Sequence, residues 1–133
     1  MVNFGAPETV PAEYRDRQFV EHNPQVTLMR TTVEENSRMG KWIGEKLNNM
    51  EGPVRFLLPE GGVSALDAAG QPFEDGQARA ALFDALTGTV QETANRKIIK
   101  HSSHINDTAF TSAIVDAFNE ISISDRRPVH ATN

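Results

Sequence analysis

Apolar residues recur along this chain in two rhythms, short runs and stripes three to four residues apart, which predicts strands interleaved with helices. Met1 to Phe4 reads as the tail of a strand that ends at Gly5. Ala6-Pro7 and Val10-Pro11 mark a loop, and Glu13 to Arg17 a short helical turn. Gln18 to His22 alternates as a short strand. Asn23-Pro24 breaks it, because a residue before proline avoids helical angles. Thr32-Val33-Glu34-Glu35 has the form of a capping box, in which hydroxyl and carboxylate satisfy each other's backbone donors. The two glutamates also suit the positive end of a helix dipole. Met39, Trp42, Ile43 and Leu47 follow at helical spacing, which predicts a helix from about Val33 to Asn49. Trp42, Met39 and Met50 are assigned to the core on the strength of that stripe.

Val54 to Leu58 then reads as a buried strand. The stretch from Pro59 to Asp75 holds Gly61, Gly62, Gly70 and Pro72. It exceeds the roughly 12 residues beyond which a loop is usually functional or disordered. Ala78, Ala81, Leu82, Ala85 and Leu86 predict a second helix over Gln77 to Thr89, and Ile98-Ile99 centre a strand from Arg96 to His101. Asp107 is placed to cap a third helix carrying Phe110, Ile114, Ala117, Phe118 and Ile121. The order strand, strand, helix, strand, helix, strand, helix implies parallel strands joined by right-handed crossovers. The expected fold is therefore α/β, a Rossmann-like three-layer sandwich with a mostly parallel sheet of about four strands and three main helices. It would occupy residues 1–122, with 123–133 a polar, flexible tail.

Composition narrows the classes. A chain of 133 residues suits one domain. Its net charge of −5 disfavours nucleic acid as a partner, and Arg126-Arg127 is an isolated basic pair. The absence of cysteine excludes disulfides, thiolate nucleophiles and thiolate zinc sites, and suits a reducing cytoplasm. No stretch approaches the roughly 20 apolar residues of a membrane helix, and the first residues lack the pattern of a signal peptide.

Three polar clusters follow predicted strands, along what would be one edge of the sheet. In the first, Glu60-Gly61-Gly62-Val63-Ser64 with Asp67, the glycines allow close backbone approach and successive amides can form an anion-binding concavity. Ser64 can add a hydroxyl donor, and Asp67 can hold a metal or a sugar hydroxyl. The bland reading, equally weighted, is a tight turn with Asp67 capping a helix. In the second, His101-Ser102-Ser103-His104-Ile105-Asn106-Asp107, His104 is a candidate general acid or base. His101, His104 and Asp107 form a weaker candidate metal set. In the third, His22 and Asn23 precede Arg30, which can pair with a phosphate or carboxylate. The bland alternatives are an Asn-Pro turn, an exposed arginine, and Thr32 acting only as a helix cap.

The segments Met1 to Gly5, His22 to Thr31, Leu57 to Asp67 and His104 to Asp107 together resemble the ATP-binding family related to the tomato mosaic virus resistance protein. The resemblance runs from Met1 to about Ile121. It implies that the chain is most of the second of two α/β lobes, and that an N-terminal lobe, absent here, contributes much of a nucleotide site. It also implies that Gly61-Gly62 and the His104 to Asp107 segment face the cleft between lobes.

Three functions compete. The first is a lobe whose Asn23, Arg30, Gly61, Gly62, Ser64, Asp67 and Asn106 help bind ATP or another phosphorylated molecule, with magnesium or another divalent metal bridging to Asp67. The second is a subdomain of a metal-assisted hydrolase or lyase that uses His22, Glu60, His104 and Asp107 for acid–base chemistry. The third is an oligomerisation lobe, with self-association expected in any case from apolar surface left uncovered.

Overall fold

The computed structural model describes residues 1–124. Two sheets and three helices make an α/β domain. Strands β1 (Val2–Phe4), β2 (Phe19–Asn23) and β3 (Val26–Met29) form an antiparallel sheet in the order β1-β3-β2. Helix α1 (Val33–Asn48) leads to β4 (Val54–Pro59), then helix α2 (Gly76–Thr89), then β5 (Arg96–His101), which pairs in parallel with β4. Helix α3 (Thr108–Ser124) closes the described chain. It reaches two residues into the segment expected to be a tail; residues 125–133 lie outside the described residues.

The mostly parallel sheet of about four strands is therefore corrected to three antiparallel strands and a separate parallel pair. The cause is β3, which the sequence reading passed over. Pro24-Gln25 turns the chain straight back, with Asn23 Oδ1 accepting from Gln25 N–H at 2.9 Å, so β2 and β3 form a hairpin and need no helical crossover. β1 joins the free edge of the same β3, Val2 opposite Met29. Only β4–α2–β5 is the alternating unit that the order of elements implied.

Helices pack on that unit. Val54, Phe56 and Leu58 of β4 and Ile98 of β5 face Ile43 and Leu47 of α1 and Leu82, Phe83 and Leu86 of α2. The opposite face meets α3, where Arg55 of β4 grips Glu120 through two hydrogen bonds of 3.0 and 2.7 Å. Alternation along the strand puts the two helical layers on opposite sides.

The buried face of α1 differs from the apolar stripe. Asn36, Gly40, Gly44 and Leu47 are its buried residues, four or three apart. Trp42 lies roughly 200° around the helix from both Gly40 and Gly44 at 3.6 residues per turn. It is 60% exposed, and Met39 and Met50 are exposed as well. These three residues are corrected from core to surface. The glycines explain the reversal: they let α1 lie against α2 backbone to backbone, in the most extensive interface between elements. Glycine carries no hydrophobic signal, so the stripe located the core side correctly at Ile43 and Leu47 but misplaced Met39 and Trp42. The capping box forms as expected, Thr32 Oγ1 accepting from Glu35 N–H and Glu35 Oε2 from Thr32 N–H.

A Cβ on Gly40 would come within 2.3 Å of the Leu82 carbonyl oxygen, a backbone atom that cannot step aside, whereas one on Gly88 in α2 meets nothing within 4 Å. Alanine at Gly40 therefore destabilises by about 1–3 kcal/mol through overpacking, despite the helix propensity it gains. Alanine at Gly88 stabilises by about 0.5 kcal/mol. Urea denaturation of the two variants checks both signs.

Candidate functional site

The long connection from Pro59 to Asp75 is ordered, and a buried carboxylate holds it. Asp67 ends a short 3-10 turn (Ala65–Asp67) and is 1% exposed. Its Oδ1 lies 3.1 Å from Arg30 Nη2 and 3.0 Å from Arg79 Nη1. The same oxygen accepts from Asp75 N–H at 3.4 Å, while Oδ2 accepts from Val63 N–H at 3.2 Å. Arg30 also donates to the Asp75 carbonyl, and Arg79 to the Asp67 carbonyl, each at 3.3 Å. Phe73, fully buried, donates its N–H to the Leu66 carbonyl at 2.8 Å and anchors the far end of the loop. One side chain thus ties the exit of β3, the glycine loop and the start of α2 together.

Arg30 pairs with a carboxylate, the second of the partners its sequence context allowed. Asp67 caps no long helix and offers no open face to a metal or sugar; its oxygens are taken by two guanidiniums and two amides. Nearby, Arg17 forms a forked pair with Glu35 at 3.1 and 2.6 Å and donates to the Arg30 carbonyl at 2.8 Å. The hydrogen bond from Arg17 holds the Glu35 carboxyl down at about 2.

The glycine loop packs against the β5–α3 connection, with Gly62 buried and Gly61 still exposed on its outer side. Gly61 N–H donates to the Ser103 carbonyl at 3.1 Å, Gly62 N–H to the Pro59 carbonyl at 3.1 Å, and the Gly62 carbonyl accepts from Ile105 N–H at 2.9 Å. A Cβ on Gly61 would meet His104 N at 2.6 Å. Gly62 adopts φ +140°, where a side chain is strained, and its Cβ would meet His104 Cδ2 at 2.5 Å. Both glycines are required by close approach. The amides at Gly61, Gly62 and Val63 already have partners, so the expected anion cradle is corrected to an internal seam.

His104 closes that seam. Its Nδ1 accepts from Asn106 N–H at 3.1 Å, and its Nε2 lies 2.8 Å from the Ser64 carbonyl, a pattern that fits the Nε2–H tautomer. Ser64 Oγ accepts from Leu66 N–H at 3.2 Å and caps the short turn. Asp107 precedes α3, but its carboxylate reaches back to His104 N–H at 2.8 Å. His101 Nδ1 accepts from Ser103 N–H at 3.3 Å, and its ring stands edge-on to Phe110.

His22 is exposed at the turn end of the β2–β3 hairpin, beside a bulge, whereas Arg30 leaves β3 at the other end. Asn23 builds the turn. The acid–base quartet of His22, Glu60, His104 and Asp107 is thus not assembled by any contact: His104 and Asp107 join through a backbone amide, and Glu60 points to a different hollow. Among the described residues no three His, Asp or Glu side chains converge on a possible metal position. The residues present do not fit a protein-held metal at Asp67 or in the His101–Asp107 segment.

The open surface at the carboxyl ends of β4 and β5 is a hollow of about 210 Å³, lined by Glu60, Gly76, Arg79, Phe83, Asp84 and Lys100. Larger hollows lie away from this edge. One of about 480 Å³ sits between β1 and α1, and one of about 400 Å³ lies under the Pro7–Arg15 segment. The smaller one is the candidate site, because it joins two cations to the first turn of α2 at the end of a parallel pair. Arg79 and Lys100 escaped the sequence reading. Lys100 sits one residue before the prominent His101, and the strand-end rule that drew attention to the histidines applies equally to it.

Residues 1–122 match the model of a family described as uncharacterised protein family (UPF0261), C-terminal domain. A UPF0261 protein of Rhizobium meliloti is 55% identical over 121 residues, 91% of this chain and 30% of that protein. One of Clostridium tetani is 45% identical over 117 residues, 86% of the chain and 28% of that protein. The ToMV resistance protein Tm-1(GCR237) of Solanum lycopersicum is 45% identical over 126 residues, 95% of the chain and 17% of that protein. The chain therefore spans less than a third of the length of these relatives.

Replacing Asp67 with asparagine keeps the shape but leaves Arg30 and Arg79 without their counter-charge. Loss of one partner from a buried pair typically costs about 3–5 kcal/mol. Asp67→Asn is expected to lose that much in chemical denaturation; a loss below about 1 kcal/mol, the range of an exposed ion pair, contradicts the assignment.

Proposed function

The chain belongs to the UPF0261 family as its C-terminal domain, and on that footing we propose that it forms one wall of a binding site for a nucleotide or other phosphorylated small molecule. The observation that carries this reading is the meeting of Lys100, Arg79 and the first turn of α2 with Glu60 in one hollow, at the carboxyl ends of two parallel strands. Ligands of open α/β sheets bind at that edge. Lys100 favours a phosphoryl group, with Arg79 beside it already paired to Asp67 through Nη1 and the first turn of α2 capped by Asp75, and Glu60 offers an acceptor for a sugar hydroxyl. The carboxylates of Glu60 and Asp84 on the rim select against a ligand that is anionic throughout.

Size supports a shared site. About 210 Å³ falls short of the roughly 300–1,000 Å³ that encloses a small molecule, so this hollow suits a phosphoryl group and part of a sugar. The remaining wall is assigned to the polypeptide that precedes this domain in the longer relatives. ATP, implied by the family resemblance, is the first ligand to test. Its phosphates are placed against Lys100 and Arg79 rather than in the Gly61-Gly62 loop. The chain's own contribution is to bind and orient the anion.

Titration of ATP into the isotopically labelled chain, followed by NMR, tests the reading. Shifts are expected around Glu60, Gly76 to Ala80, Asp84 and Lys100. A charge-assisted contact supports about tenfold or greater weakening in Lys100→Met. Shifts centred elsewhere, or equal affinity in the variant, contradict the assignment.

A further inference from the structure

The antiparallel sheet has a hollow of its own, about 400 Å³ in volume, which the nucleotide reading leaves unused. Thr27, Glu21 and Phe19 line it from the sheet. Directly paired residues share a face, so Phe4, Thr27 and Glu21 stand in one row across β1, β3 and β2. Phe19, two residues before Glu21, lies on the same side. The segment from Pro7 to Arg15 covers that face. Its Tyr14 meets Phe4 with ring centres 5.9 Å apart, and the Arg17 guanidinium lies 5.9 Å from the Tyr14 ring centre. Two 3-10 turns shape the segment, Pro7–Thr9 and Ala12–Tyr14. Val10 N–H donates to the Pro7 carbonyl at 3.2 Å, and Arg15 N–H to the Ala12 carbonyl at 3.3 Å. The walls are thus organised before any ligand arrives.

The lining is of two kinds. Pro7, Val10, Pro11 and Phe19 are apolar, whereas Thr27, Glu21 and Arg15 are polar. Thr27 is 4% exposed, and its hydroxyl has no hydrogen-bond partner among the described residues. A buried hydroxyl without a partner opposes folding, and native proteins keep few of them. Glu21 and Arg15 are exposed, and among the described residues neither enters an ion pair. Arg15 Nε donates to the Ala12 carbonyl at 3.0 Å, which leaves both terminal nitrogens of the guanidinium available.

From this we infer that the hollow under the Pro7–Arg15 segment is a binding site for a free amino acid with an apolar side chain. The charges select a zwitterion. Glu21 and Thr27, neighbours across β2 and β3, offer oxygen acceptors to an ammonium group. The terminal nitrogens of Arg15 offer a forked donor to a carboxylate. The prolines, Val10 and Phe19 leave an apolar surface for the side chain. The volume lies near the lower end of the roughly 300–1,000 Å³ of small-molecule sites, which suits one amino acid rather than a peptide. This site shares no residue and no ligand with the nucleotide reading, so either can fail alone.

L-Phenylalanine titrated into the 133-residue chain, followed by NMR and calorimetry, tests the inference. Shifts are expected at Val10, Ala12, Phe19, Glu21 and Thr27. 3-Phenylpropionate lacks the amino group and 2-phenylethylamine lacks the carboxylate, and each is expected to bind about tenfold or more weakly. Thr27→Val removes the hydroxyl and keeps the shape. It is expected to weaken binding about tenfold while the midpoint of urea unfolding stays equal or rises, because the orphaned group is gone. Lys100→Met should leave the affinity for phenylalanine unchanged. The inference is overturned by absence of binding, by shifts centred away from the hollow, or by an analogue that binds as tightly as the amino acid. An unchanged affinity in Thr27→Val, or a lowered unfolding midpoint that marks the hydroxyl as structural, overturns it as well.

Discussion

A single buried carboxylate sets the arrangement of this domain. Asp67 lies between Arg30, which leaves the antiparallel sheet, and Arg79, which belongs to the first turns of α2, and also receives two amides from its own loop. Among the described residues no extensive interface joins that sheet to the parallel unit. Polar links bridge them: Arg30 to Asp67, Arg17 to Glu35, and the Gln18 amide to the Pro72 carbonyl. Burying charge is costly, and it is sustained only where each ion is matched and its hydrogen-bonding capacity is filled. Asp67 itself meets that condition, while Arg30 in the same cluster keeps its Nε buried without a partner. The same condition fixes the loop conformation, because another course for residues 59–75 would strand two arginines.

The fixed loop has a consequence for function. A glycine pair after a strand invites the reading of a phosphate cradle, since glycine permits exposed amides. Here the same freedom is used for contact between backbones. Gly61 and Gly62 let the connection after β4 lie flush on the connection after β5, and His104 bridges the two through Nε2 at the Ser64 carbonyl, while its Nδ1 accepts from Asn106 within its own connection. The surface left for a ligand moves to the outer side of the strand ends, where Glu60, Arg79 and Lys100 meet. The anion-binding proposal survives the loss of the loop because the edge of the parallel pair, rather than the glycines, supplies the field.

Much of this was legible in the sequence. The capping box at Thr32 and Glu35 located the start of α1, and the periodicity of Ala78 to Leu86 located α2, because both signals are local. Pairing was harder to read. Val26 to Met29 is a strand only because β1 and β2 flank it, and a four-residue run beside a proline turn carries little weight by itself. The core face of α1 was read correctly at Ile43 and Leu47 and wrongly at Met39 and Trp42, because close helix packing is achieved with Gly40 and Gly44, which no hydrophobic pattern reports. At the site, Asp67 and Arg30 were singled out separately, and their partnership, 37 residues apart, appears only in three dimensions. His104 was noticed for its chemistry and serves as a strut. Arg79 and Lys100 went unnoticed because isolated basic residues on a helix and a strand are common on solvated surfaces.

The account rests on the glycine loop being an internal seam, closed by Asp67 and the β5–α3 connection. Amide hydrogen exchange of the free chain tests this most directly. The account predicts slow exchange at Gly61, Gly62, Val63 and Ile105, whose N–H groups are bonded to the Ser103 carbonyl, the Pro59 carbonyl, Asp67 Oδ2 and the Gly62 carbonyl. Exchange at these four amides as fast as in an unstructured peptide, with slowing only when a phosphorylated ligand is added, would contradict it.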